Sequence, residues 1–173
     1  MIKLKDVFEE WRDRIDHPII ALETGCAFMW GEKFDPYTSS LNIVEHLVAP
    51  TNGTLYSLDI DQDRINTCKK HLAKKGLDIY VEFICGDSVE SLKTLPQNHI
   101  NFAWLDSSED AYHATQEFEY MQLLFTDKHI LCVDDYGSSN SVKWQEISNA
   151  IKKDYTESKT YETPTGLIVG YNE

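Results

Sequence analysis

Five apolar or alternating runs of strand length, residues 19–22, 55–58, 80–85, 100–105 and 130–133, are separated by intervals of mostly helical periodicity. Few topologies accommodate that alternation. Strand, helix and strand in one sheet connect right-handedly, so the repeated unit predicts an α/β fold: a doubly wound, mostly parallel sheet with helices on both faces. Asp61 is placed to cap a helix carrying Ile65, Cys68 and Leu72, which closes with Lys74, Lys75 and a left-handed stop at Gly76. A helix after Asp106 sets Ala111, Ala114, Phe118, Met121 and Phe125 on one stripe, and another from about Ser141 to about Asp154 turns Trp144, Ile147 and Ile151 inward. The ends of the chain differ. Leu4, Phe8, Trp11 and Ile15 mark an amphipathic leading helix within residues 1–16, stopped by Asp16-His17-Pro18. Residues 159–162 and 167–171 flank Thr163-Pro164-Thr165-Gly166, a turn signal that predicts a closing antiparallel hairpin and about seven strands in all. One domain spans residues 1–173.

Each of the five runs is followed at once, or after a single glycine, by an acid: Glu23, Asp59, Asp87, Asp106 and Asp134. In a parallel sheet these ends share one edge, where ligands of open α/β sheets bind. Helix capping competes at two positions, since Asp87-Ser88-Val89-Glu90 and Asp106-Ser107-Ser108-Glu109 both fit a capping box. Asp134-Asp135 is harder to read as a cap, because adjacent carboxylates at the end of an apolar strand repel each other unless a cation or hydrogen bonds compensate.

The turn after the first strand bears on the ligand. Gly25-Cys26-Ala27-Phe28-Met29-Trp30 places bulky side chains where a dinucleotide fingerprint needs glycines, and Asp59 lies 34 residues after Gly25 rather than about 20. A P-loop is absent. A ligand with ribose hydroxyls and no phosphates fits better, with the acid of the second strand accepting from both hydroxyls. Sixteen Lys and Arg against 29 Asp and Glu give a net charge of −13, which repels a phosphate backbone and argues against sequence-independent nucleic-acid binding. No apolar stretch reaches the length of a membrane span and the N-terminus lacks a signal-peptide core, so a cytoplasmic protein is expected. Cys26, Cys68, Cys85 and Cys132 show no C-x-x-C spacing, and neither a disulfide framework nor a zinc site is indicated.

These residues resemble class I S-adenosylmethionine-dependent methyltransferases, whose sheet is Rossmann-like with seven strands. Glu23-Thr24-Gly25-Cys26-Ala27 is similar to the family's first motif, with Ala27 in place of the second glycine. Ser57-Leu58-Asp59-Ile60-Asp61 resembles the ribose-holding segment and Cys85-Gly86-Asp87-Ser88 the segment lining the adenine. The resemblance implies S-adenosylmethionine as cofactor, bound by Glu23, Gly25, Ala27, Asp59, Ile60, Gly86, Asp87 and Ser88. Trp104-Leu105-Asp106 and Cys132-Val133-Asp134-Asp135-Tyr136-Gly137 look like the magnesium-dependent sugar O-methyltransferases of macrolide and aminocoumarin tailoring, which carry a V-D-D-Y-G motif. That narrower resemblance implies Mg²⁺ on Asp106, Asp134 and Asp135, activating a small-molecule hydroxyl as a Lewis acid.

Asp106 is also a candidate proton acceptor, and His113, one turn into the following helix, is a candidate base. His17, His46, His71, His99 and His129 are expected in surface or cap roles. Catechol-type relatives place a lysine base three residues after the first metal acid, where this chain has Glu109, so that mechanism does not carry over. Only about one helix precedes the first strand. The acceptor pocket is therefore open, completed by another subunit in a homo-oligomer, or lined by residues 28–37, whose four aromatics and methionine suit a lid. Tyr112 and Tyr136 flank the same edge. Two rivals stand beside a methyltransferase: a catalytically silent nucleoside-binding module of the same fold, and a nicotinamide-dependent oxidoreductase with an unsuitable glycine pattern.

Overall fold

The computed structural model of the chain describes residues 2–26, 39–108, 110–136 and 143–173. Strands β1 (Ile20–Thr24), β2 (Thr54–Asp59), β3 (Val81–Cys85), β4 (Ile100–Leu105), β5 (Phe125–Asp134), β6 (Glu157–Tyr161) and β7 (Leu167–Asn172) form one sheet. Their order is β3-β2-β1-β4-β5-β7-β6. The first five pair in parallel, and β7 runs antiparallel to both β5 and β6. The expected mostly parallel, seven-stranded sheet with a closing hairpin is what forms. All six residues of β4 are buried, as befits a central strand covered on both faces and written as an unbroken apolar run.

Helices α1 (Leu4–Arg12), α2 (Ser39–Ile43), α3 (Gln62–Ala73), α4 (Ser88–Leu92), α5 (Ala111–Leu124) and α6 (Lys143–Asp154) flank the sheet. On one face Phe8 and Trp11 of α1 pack with Leu55, Phe102 and Trp104; on the other, Leu22 and Leu58 meet Met121, Ile147 and Ile151. Phe8 stands edge-on to both Phe102 and Trp104, at 5.5 and 5.8 Å between ring centroids. Burying aromatics of this size contributes about 2–3 kcal/mol each. Polar contacts fix where α1 docks. Trp11 Nε1 donates to the Tyr161 hydroxyl at 2.6 Å, and that hydroxyl donates to Glu10 at 2.9 Å.

Asp61 caps α3 as expected, accepting from the amides of Asp63 and Arg64, and Gly76 adopts the left-handed conformation at the far end. Four local expectations are corrected. Helix α5 starts at Ala111 and is capped by Asp110, whose Oδ1 accepts from His113 N at 2.8 Å, so Asp106 is not its cap. Phe125, expected on the α5 stripe, is extended and opens β5, where its ring stacks on His129 at 4.1 Å. His129 is consequently buried rather than at the surface. Cys85, expected as a buried small hydrophobe, is exposed because β3 is an edge strand. The side chain of Trp144 lies outside the described residues. Among the described residues, no helix is long and apolar enough to cross a membrane.

Candidate functional site

Strand order reverses between β1 and β4, and ligands of open α/β sheets bind at the carboxyl edge of that point. A cavity of about 220 Å³ opens there. Gly25 lines it from the turn after β1, Leu58 and Asp59 from β2, Ile60 from just beyond that strand, and Arg64 from α3. Gly86, Asp87 and Ser88 enter after β3, Ser107 and Ser108 after β4, and His113 from α5.

Gly25 has a physical role distinct from a ligand's approach. Its φ is +83°, and a Cβ built there would lie 2.3 Å from the Asp106 carbonyl oxygen. Its amide donates to Leu58 O at 2.8 Å, while Asp106 N donates to Thr24 O at 3.1 Å. A side chain at this position would separate the turns after β1 and β4. Asp59, almost wholly buried, accepts from Cys26 N at 3.1 Å on Oδ2 and from Asp61 N at 2.8 Å on Oδ1. These amides orient the carboxylate and leave lone pairs for a further donor. Asp87 both caps and lines: its Oδ1 accepts from Glu90 N at 3.0 Å at the start of α4.

Of the eight residues expected to hold a cofactor, six line the cavity: Gly25, Asp59, Ile60, Gly86, Asp87 and Ser88. Ala27 lies outside the described residues, as do residues 28–37, Glu109 and Gly137. Glu23 does not reach the cavity. It is fully buried and accepts from Ser39 Oγ at 3.1 Å, Ser57 Oγ at 2.6 Å and Ser40 Oγ, joining β1, β2 and α2. Burial raises its carboxyl from the usual range to about 7, against the opposing pull of the three hydroxyls.

Asp106 is half-buried and is not part of the cavity lining. Asp134 Oδ1 accepts from Thr165 Oγ1 at 2.6 Å and from Asp135 N at 2.9 Å, and Asp135 sits at φ +60°. The compensation for these adjacent acids therefore includes hydrogen bonds from the closing hairpin and the backbone. Among the described residues, no three His, Cys, Asp or Glu side chains are grouped to hold a metal ion. Asp106, Asp134 and Asp135 as placed do not fit the three-carboxylate centre expected for Mg²⁺. Tyr112 is exposed, and Tyr136 accepts from Lys152 Nζ at 2.8 Å.

Sequence reasoning missed Arg64, Ser107, Ser108 and, above all, Glu117. Glu117 is fully buried in α5, accepting from Ser107 Oγ at 2.6 Å on each oxygen and from Ser88 Oγ on Oε1. Burial raises its carboxyl above the ordinary range, while Ser107, Ser88 and His113 pull it back. His113 Nε2 lies 2.9 Å from Ser88 Oγ and 3.5 Å from Glu117 Oε1. A signal was present: Glu117 lies three residues after Ala114 and four before Met121, on the inward stripe of α5.

A family model described as a methyltransferase domain matches residues 38–136. That is more than half of the chain, and the chain belongs to this family. No curated protein matches it in sequence. Among solved structures, a methyltransferase from Geobacter sulfurreducens is 14% identical with a TM-score of 0.73, covering 97% of this chain and 77% of that one. A Streptococcus mutans protein described as a methyltransferase and solved in complex with SAH is 12% identical, with a TM-score of 0.72 and all of both chains covered. A Staphylococcus aureus protein described as a caffeoyl-CoA O-methyltransferase is 15% identical, with a TM-score of 0.71, 100% of this chain and 85% of that one. At these identities the likeness is one of fold.

Proposed function

We propose that this chain transfers the methyl group of S-adenosylmethionine to a hydroxyl oxygen of a small molecule. The observation that carries the reading is the convergence of Gly25, Asp59, Ile60, Gly86, Asp87 and Ser88 on one cavity at the switch point, from three strand ends. When bound, the cofactor supplies an electrophilic methyl on a sulfonium. The residues fit its nucleoside part: Asp59 is held by two amides and keeps acceptor capacity for a ribose diol, and exposed Ile60 offers an apolar rim to a purine face. Asp87 presents a second carboxylate acceptor.

The acceptor class is argued from chemistry. A hydroxyl must lose its proton as the oxygen–carbon bond forms, and the base proposed for it is His113, a residue of the cavity wall. The net charge of −13 disfavours a nucleic-acid acceptor. Asp106, Asp134 and Asp135 do not group as a metal centre among the described residues, and the proposed reaction does not include Mg²⁺. Isothermal titration of S-adenosylhomocysteine into the protein tests the cofactor: saturable one-to-one binding is expected, and absence of binding overturns the reading. Methyl transfer to a panel of hydroxylated small molecules then tests the reaction, and binding without turnover across that panel would favour a silent module.

A further inference from the structure

Ser88, Ser107 and His113 of the cavity wall and Glu117 behind it form one hydrogen-bonded unit whose proton directions are fixed by stoichiometry. Ser88 Oγ contacts Glu117 Oε1 and lies 2.9 Å from His113 Nε2. A serine hydroxyl has one proton to donate. Glu117 is fully buried and its carboxyl oxygens accept from Ser88 and Ser107, so that proton goes to the carboxyl group. Ser107 commits its own proton to the same group, at 2.6 Å from each oxygen. Ser88 then faces His113 Nε2 with a lone pair, and the contact is satisfied only if Nε2 carries hydrogen. The 3.5 Å approach of Nε2 to Glu117 Oε1 favours the same assignment. A neutral imidazole with hydrogen on Nε2 has a bare Nδ1. Among the described residues Nδ1 has no hydrogen-bond partner, and His113 lines the cavity with about a quarter of its side chain exposed.

We infer that Glu117 is a positioning residue that acts through Ser88 to hold His113 as the Nε2–H tautomer, so that Nδ1 meets the ligand as a hydrogen-bond acceptor. Glu117 touches no ligand itself. Its effect is on polarity: the hydroxyls of Ser88 and Ser107 are turned inward, and this part of the wall takes hydrogen bonds from a ligand group bearing N–H or O–H. Under the proposed function, on which the ligand part of this inference rests, that donor is either the 6-amino group of the cofactor's purine or the hydroxyl to be methylated.

Long-range ¹H–¹⁵N correlation NMR of the whole protein at pH 8 reads the tautomer directly, and the wild type alone is decisive. Hydrogen on Nε2 with a bare Nδ1 is expected; hydrogen on Nδ1 overturns the inference. In Glu117→Ala the Ser88 proton is released to donate to Nε2, and the tautomer is expected to reverse while far-ultraviolet circular dichroism stays native. A folded Glu117→Ala with the wild-type tautomer overturns the inference as well. Ser107→Ala, which removes the arm not joined to His113, is expected to keep Nε2–H, whereas a general packing role would disturb both variants alike.

Two ligands separate the sources of the donor. S-Inosylhomocysteine replaces the 6-amino donor of S-adenosylhomocysteine by a carbonyl acceptor. If the wild-type preference for the adenosyl compound falls about tenfold in Glu117→Ala, the worth of one hydrogen bond, the donor is the purine amine. An unchanged preference with a reversed tautomer assigns Nδ1 to the acceptor hydroxyl. Failure to bind either compound with the expected wild-type tautomer sinks the methyltransferase reading and leaves the role of Glu117 standing.

Discussion

Glu23→Gln should change the pH dependence of stability, and the size of the change follows from burial. The Glu23 carboxyl is fully buried among Ser39, Ser40 and Ser57, and desolvation raises it to about 7, against 4.5 for an unperturbed group. The folded protein therefore keeps this proton up to about pH 7, while the unfolded chain releases it near 4.5. The stabilisation linked to the bound proton is fully present below pH 4.5 and is lost as pH rises through 7. At about 1.4 kcal/mol per pH unit the interval corresponds to about 3 kcal/mol. Glutamine is neutral throughout and removes this slope. Urea unfolding of both proteins from pH 4.5 to 8, with the midpoint and slope fitted at each pH, gives the double difference in which other titrating groups cancel. The variant is expected to gain about 3 kcal/mol on the wild type between the ends of that range. Parallel pH profiles would refute the reasoning, because they would mean that Glu23 is ionised in both states.

Gly25→Ala should destabilise by about 2–4 kcal/mol, since the backbone is at φ +83° and the new Cβ meets the Asp106 carbonyl at 2.3 Å; thermal unfolding measures it, and an unchanged midpoint would contradict the close approach. Asp59→Ala should weaken S-adenosylhomocysteine binding about 10- to 100-fold by calorimetry, the worth of charge-assisted bonds to a diol, and wild-type affinity would remove Asp59 from the nucleoside site. The same titration run with Mg²⁺ and with EDTA should give matching affinities and heats, and a magnesium-dependent difference would restore Asp106, Asp134 and Asp135 as a metal centre.

The strand sequence and its edge of acids were legible because each depends on local pattern: unbroken apolar runs for covered strands and carboxylates where chains turn into helices. What escaped were the decisions of tertiary packing. Phe125 fits a helical stripe and an opening strand equally well, and only its place beside Ile100 and His129 selects the strand. Asp106-Ser107-Ser108-Glu109 satisfies a capping pattern, yet Asp110 takes the cap and releases Ser107 to Glu117. The metal reading rested on three acids sharing an edge. Such an edge places backbones side by side and does not fix side-chain direction, and Asp134 is engaged by Thr165 of the closing hairpin.

The two buried acids share a physical logic that neither shows alone. Glu23 gathers hydroxyls from α2 and β2, and Glu117 gathers hydroxyls from the turns after β3 and β4. A lone carboxylate in an apolar interior would be driven to the neutral form, and serine hydroxyls are the smallest groups that oppose this without adding a second charge. They also tether segments that no strand pairing joins, the start of α2 at one acid and the turn at Ser107 at the other. Two buried carboxyls that do not themselves line the cavity thus anchor its surroundings, while Ser88, Ser107 and His113 of the second cluster form part of its wall. The pH profile of Glu23→Gln and the tautomer of His113 therefore report on these two buried carboxyls, which truncation of the residues that line the cavity does not isolate.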